Sequence, residues 1–379
     1  MSELGCTACV RNSDCALRGL HMPLKGRCLR AFYLMGLLSS ALLISNGVSA
    51  EPDFYKTQCK ENNPFLHCEE IAYICQQVKS VASPIEDKPT EQEKFALKDC
   101  ISADLLYAKS SDPIKARKCA YLQIEEKRLD GPFDGTPILM RVYANGEGIK
   151  PNRDLALKFA CEDDGGTSAE FEGRIFDLNQ LRQSGGKSRP FDYCNDITSG
   201  LMQGFCTDRD AEIEKSERDA KLAEFVSTWT EHDKQAFEKM RSIWQKYIQA
   251  SEREVDQSGT GRVAFVIEHT ESFEKDFVSS IFKFSHGEFP AYNDDDFIRA
   301  DGELNQTYKK IQEKPGDQAS WLGTVTKEDI KNAQRAWLKY RDAWIVFAKQ
   351  KYPSVPAVAW KTWLTHDRVG QLKSFDESL

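Results

Sequence analysis

In the last sixth of the chain, apolar residues recur at alternating steps of three and four: Ile330, Ala333, Trp337, Tyr340, Trp344 and Phe347. That spacing puts them on one stripe of an amphipathic helix, and a stripe so rich in aromatic rings is a buried face. Thr326 with Asp329 has the composition of a helix start and Pro353 after Tyr352 supplies a stop, so the pattern predicts a helix from about Lys327 to about Lys351. The same steps occur at Phe237, Met240, Trp244 and Tyr247. In both places Trp-x-x-Tyr is followed three residues later by alanine, Ala250 and Ala343, and His269 and His366 lie at comparable distances downstream, followed by helices expected to end near Phe277 and Phe375. We read this as an internal duplication, with Asp219 to Ser285 a diverged copy of Asp301 to Phe375. Each copy is then a three-helix hairpin, and the two aromatic stripes face one another or line equivalent cores.

The earlier part of the chain also reads as helical. Thr90 and Glu93 form a capping box, predicting a helix to about Ser110, and Pro113 opens another that carries Ala116, Cys119 and Ala120. Leu139, Tyr143, Gly146, Gly148, Ile149, Asn152, Ala156 and Ala160 describe a helix, a glycine-rich turn and a second helix whose small residues allow close packing. Gln183 to Pro190 is a loop. Thr207 to Lys221 alternates in charge like a solvated helix joining two bodies. The expected fold is all-α: a leader over 1–50, a cysteine-rich helical-repeat domain over 51–206, a charged helical linker over 207–221, and a duplicated helical domain over 222–379.

The run Gln334-x-x-Trp337-x-x-Tyr340-Arg341-Asp342, with Asp301, Leu304 and Asn305 before it and Asp367, Arg368 and Leu372 after it, resembles the lysozyme inhibitor LprI family of exported bacterial proteins. The resemblance covers roughly Phe297 to the C-terminus. The family's usual pattern has a cysteine three residues after the Asp; here Ile345 stands there, so the disulfide that commonly ties the family's helices is missing. Such an inhibitor would occlude a muramidase's sugar-binding cleft, offering carboxylate or amide groups to it. The segment from about Thr136 to Gly166 resembles a Sel-like repeat, a relative of the tetratricopeptide repeat. Tyr107 with Ala116 and Ala120 resembles a degenerate copy, and Ala169 to Gly173 the start of another. Repeats of that kind stack helix pairs into a curved surface that binds peptides or proteins.

Composition bounds the rest. With 379 residues, 40% apolar and 29% charged, the chain is globular and long enough for two cores. From Met22, Lys25, Arg27 and Arg30 precede an apolar run from Ala31 to Ile44, and Val48-Ser49-Ala50 offers small residues before Glu51. This is the layout of a cleavable secretory signal, cut between Ala50 and Glu51, and Cys6, Cys9 and Cys15 lie ahead of it, upstream of a start at Met22. The leader carries five basic and two acidic residues against a total of −8, so the exported part is near −11. Such a surface repels nucleic acid and anionic lipid and favours a basic protein partner, a lysozyme among them. The eight cysteines after the cleavage point, Cys59, Cys68, Cys75, Cys100, Cys119, Cys161, Cys194 and Cys206, predict up to four disulfides of open pairing. Cys68 and Cys75, two turns apart on one helical face, are not expected to join each other.

Signatures of catalysis are sparse. Gly-x-Ser-x-Gly, His-Glu-x-x-His and the phosphate-cradling loop are absent, so no catalytic, metal or cofactor residue is assigned. Ser272-x-x-Lys275 and Ser280-x-x-Lys283 lack the motifs that accompany such pairs in penicillin-recognising enzymes. His269 and His366 read as polar residues at helix entrances, and Asp294, Asp295 and Asp296 as an acidic helix start. Arg341 is placed to stack on Trp337, and Asp342 to pair with Lys339. The expected function is non-enzymatic protein binding in the envelope, with inhibition of a lysozyme-type muramidase implied by the resemblance. The alternative is an envelope scaffold that holds other exported proteins through its repeats.

Overall fold

A computed structural model describes residue 59 and residues 66–128, 131–163, 165–314 and 323–377. The expected leader, its cleavage point at Ala50 and Glu51, and Cys6, Cys9 and Cys15 lie outside the described residues. Those residues form helices without a strand. In order they are α1 (Cys68–Val78), α2 (Glu91–Ala96), α3 (Ser102–Tyr107), α4 (Pro113–Glu126), α5 (Thr136–Asn145), α6 (Arg153–Glu162), α7 (Ser168–Gln183), α8 (Gly200–Ser227), α9 (Glu231–Ser251), α10 (Arg262–Ser285), α11 (Asp294–Glu313), α12 (Lys327–Lys351) and α13 (Ala357–Glu377).

Local chemistry explains most boundaries. Thr90, Thr167, Asn293 and Thr326 each close a capping box with the carboxylate three residues on, which satisfies two otherwise orphaned backbone donors per helix. Asp112 caps α4 ahead of Pro113. Between α5 and α6, Gly146 ends the first helix at φ +78°, a conformation a side chain would strain. The single helix expected from Thr90 to about Ser110 is instead two short ones. Its cap forms as predicted, but Cys100 is drawn to Cys119 of α4, and the Ser102 and Ala103 amides turn to the side chains of Gln123 and Asp134. Tertiary partners there replace the helical ones. The helix beginning at Arg262 also runs past the end expected near Phe277, stopping at Ser285 before Gly287 at φ +83°.

Buried apolar residues form two clusters. The first runs from Ile71 to Cys206 and the second from Leu222 to Leu372. Around the first, the eight described cysteines are joined in pairs: Cys59 to Cys68, Cys75 to Cys161, Cys100 to Cys119 and Cys194 to Cys206. Cys75–Cys161 fastens α1 to α6, and Cys194–Cys206 fastens the preceding loop to α8. Glu170, nearly sealed from water, accepts the backbone amides of Thr167, Thr198 and Ser199. Burial would raise its pKa, but those three donors outweigh it and hold the carboxyl below its usual range.

In the second cluster, α9 and α12 run antiparallel at the centre. Tyr247 stacks on Tyr340 at 5.7 Å near one end, while Asp233 near the other takes Lys351 and Gln350. Each central helix belongs to a trio whose outer members pack side by side and parallel: α8 with α10, and α11 with α13. Arg218 and Glu271 bridge the first outer pair, Glu303 and Lys373 the second. At the start of the first pair Gly200 is required, since a Cβ there would lie 2.4 Å from the Thr260 carbonyl carbon. Trp244, Trp337, Trp344 and Trp360 are all buried, and truncating a tryptophan at such a site typically costs about 3–5 kcal/mol.

Candidate functional site

The motif residues divide into a buried set and an exposed set. Leu304, Trp337, Tyr340, Arg368 and Leu372 are buried. Gln334 is half-buried and accepts a hydrogen bond from Arg368 Nε at 2.8 Å. Arg341 covers the Trp337 ring at 5.2 Å, as its spacing predicts. Asp342 pairs with Arg341 at 3.3 Å rather than with Lys339 as expected; the guanidinium that lies over the Trp337 ring is also within reach of the neighbouring carboxylate. Asp301 accepts from the Asn305 amide at 3.0 Å, one helical turn away.

Arg368 is the electrostatic centre of this part. Fully enclosed, it donates from both terminal nitrogens to Glu254, at 2.6 and 2.8 Å, and from one of them to Gln371 at 3.1 Å. Burial alone would depress the guanidinium's pKa, but Tyr247 and Glu254 raise it above its ordinary value. Tyr247 donates its hydroxyl to Gln371 at 2.6 Å, and burial pushes its phenol up to about 12. The arrangement ties α13 to α9 and the short turn Glu252–Glu254, and presents no open face to a ligand.

The two histidines are not at helix entrances but inside α10 and α13, and the fold gives them different surroundings. His269 stands 3.0 Å from the Ser251 hydroxyl, with Phe273 against its ring. Burial, then the nearby Arg368 charge, lower its pKa. Ser251 is fully buried and donates to the Ile248 carbonyl, so it is not placed to attack a substrate. His366 instead lies against Tyr292. Among the described residues no group of three or more His, Cys, Asp or Glu is arranged to hold a metal ion.

Among the described residues, two concave surfaces stand out, both in the C-terminal half. A groove of about 460 Å³ between α8 and α10 is lined by Asp210, Glu214, Glu268, Glu271 and Asp276, with Ser272 and Lys275 among them. Lys275 is paired to Glu214 at 2.5 Å, which accounts for one of the Ser-x-x-Lys spacings as an ion-paired helix face. At the far end of these helices a cavity of about 640 Å³ is lined by Phe225, Trp229, Phe282, Phe284, Phe289 and Tyr352, with Ser285, His286, Gly287 and Lys351. Sequence reasoning missed this cavity because its walls come from the ends of three helices far apart in the chain, each of which reads locally as core. The only local signal is the dense aromatic run Phe282 to Phe289 broken by His286-Gly287.

Residues 289–372 match the family model described as lysozyme inhibitor LprI. The matched stretch takes in α11, α12 and most of α13, including every motif residue named above, whereas Glu254, Tyr247 and both concave surfaces draw on residues outside it. No curated protein and no solved structure matches the chain. Among the described residues, no helix is long and apolar enough to cross a membrane.

Proposed function

We propose that the chain is an exported, non-enzymatic protein that binds lysozyme-type muramidases and blocks their sugar cleft. The observation that carries this reading is the match of residues 289–372 to the lysozyme inhibitor family. Two properties support it. Four disulfides suit an oxidising compartment such as the periplasm or the exterior. A formal charge of −8 favours association with a basic protein through long-range attraction.

The test is a cell-wall lysis assay with a basic lysozyme and the oxidised chain from Glu51 onward. The lysis rate should fall at near-stoichiometric inhibitor, and inhibition should weaken as salt screens the attraction. An unchanged rate at large molar excess of the chain would remove the inhibitor reading and leave the scaffold alternative.

A further inference from the structure

We propose that the aromatic cavity of the C-terminal half is the seat for a lysine or arginine side chain of the protein partner. The proposal rests on the inhibitor reading for the partner's identity, but not for the chemistry of the cavity. Phe225, Trp229, Phe282, Phe289 and Tyr352 line it. Aromatic ring faces are electron-rich and attract a cation most strongly where water is displaced. Three helices, α8, α10 and α12, also reach their C-terminal ends at this cavity, at Ser227, Ser285 and Lys351. Each such end carries a partial negative charge of about half an electron, so their convergence favours a cation over a neutral or anionic group.

The fold already uses the site in this way. The Lys351 ammonium sits 4.2 Å from the Trp229 ring centroid and is held at 3.0 Å by Asp233, so this wall is neutral overall. At the rim, His286 donates from Nδ1 to the Phe282 carbonyl at 2.7 Å, which in the neutral ring leaves Nε2 as an acceptor for an incoming N–H. About 640 Å³ of space remains beside Lys351, ample for a guanidinium and its stem. A purely apolar anchor would gain from burial but would make no use of the helix ends or of the His286 acceptor.

The experiment uses the oxidised chain from Glu51 and follows backbone amide shifts of Ser285, His286 and Gly287 by NMR during titration with ethylguanidinium or its neutral isostere N-ethylurea. Ethylguanidinium should shift these amides saturably and bind about tenfold more tightly than N-ethylurea. Phe289→Leu, which keeps the wall apolar but removes a ring, should reduce that preference. Lys351→Met, which frees the Trp229 face and leaves Asp233 without its cation, should enhance ethylguanidinium binding. Equal response to both probes, or none at the mouth, overturns the proposal. Lysis assays keep the two readings apart. Cation binding without muramidase inhibition refutes the proposed function and leaves the cavity's preference standing. Inhibition of undiminished potency in Phe289→Leu removes the cavity as docking seat and leaves the function intact.

Discussion

Replacing Arg368 with methionine tests how the second core is held together. Methionine fills much of the same volume but leaves the Glu254 carboxylate, 8% exposed, with no cation. It also takes the donor from Gln334. Breaking a buried pair from one side typically costs about 3–5 kcal/mol, most of it the penalty of an uncompensated buried charge. Replacing both partners, as in Arg368→Met with Glu254→Met, removes that charge, and such exchanges are often neutral or stabilising. The assay is urea unfolding followed by tryptophan fluorescence. Trp229 is the first tryptophan in the chain, so the signal reports on the second core alone. With a slope of about 3 kcal/mol per molar urea, the single variant should lower the midpoint by about 1–2 M, and the double variant should recover most of the loss. If the double variant is no more stable than the single, the bridge is not the source of the cost. A midpoint within about 0.2 M of wild type for the single variant would refute the burial argument altogether.

Three further outcomes are expected. Thr326→Ala removes the side-chain half of the α12 capping box and should cost about 1 kcal/mol in the same fluorescence assay. Cys75→Ala with Cys161→Ala opens a bridge spanning 86 residues, which in the chain-entropy picture contributes about 4–5 kcal/mol. Circular dichroism should then show helix loss at lower temperature while the tryptophan transition stays nearly in place. His269 has its pKa lowered from 6.5 in the folded chain, so the unfolded chain takes up a proton first as pH falls. Stability from this residue is therefore intact above about pH 6.5 and declines below it, down to the folded pKa. His269→Gln should flatten that decline in urea midpoints measured from pH 7.5 to 5.

Where side chains obey a local period, the fold could be read from the residues. The stripe from Ile330 to Phe347 and the Thr326 start set the bounds of α12 at Lys327 and Lys351, because packing and capping there act in the same direction. Long-range partners decided what local pattern could not. The break near Cys100 depends on Cys119, Gln123 and Asp134, none of which is near it in sequence. Arg368 is legible from the residues only as part of the family motif, and nothing in its neighbourhood foretells that Glu254 lies against it. The aromatic cavity was hidden for the same reason: Phe225, Phe282 and Tyr352 meet only after three helices have been laid together.

The helix Gly200–Ser227 has a mechanical consequence. It carries Cys206 in the first core and Leu222 in the second, and it is continuous over 28 residues, about 42 Å. A cargo held by the first core and one held by the second would thus be kept at a set separation and a set azimuth, as on a crankshaft. Adding one residue midway along this shaft would rotate one end by about 100° against the other, whereas adding a whole number of turns would lengthen it and nearly preserve the bearing.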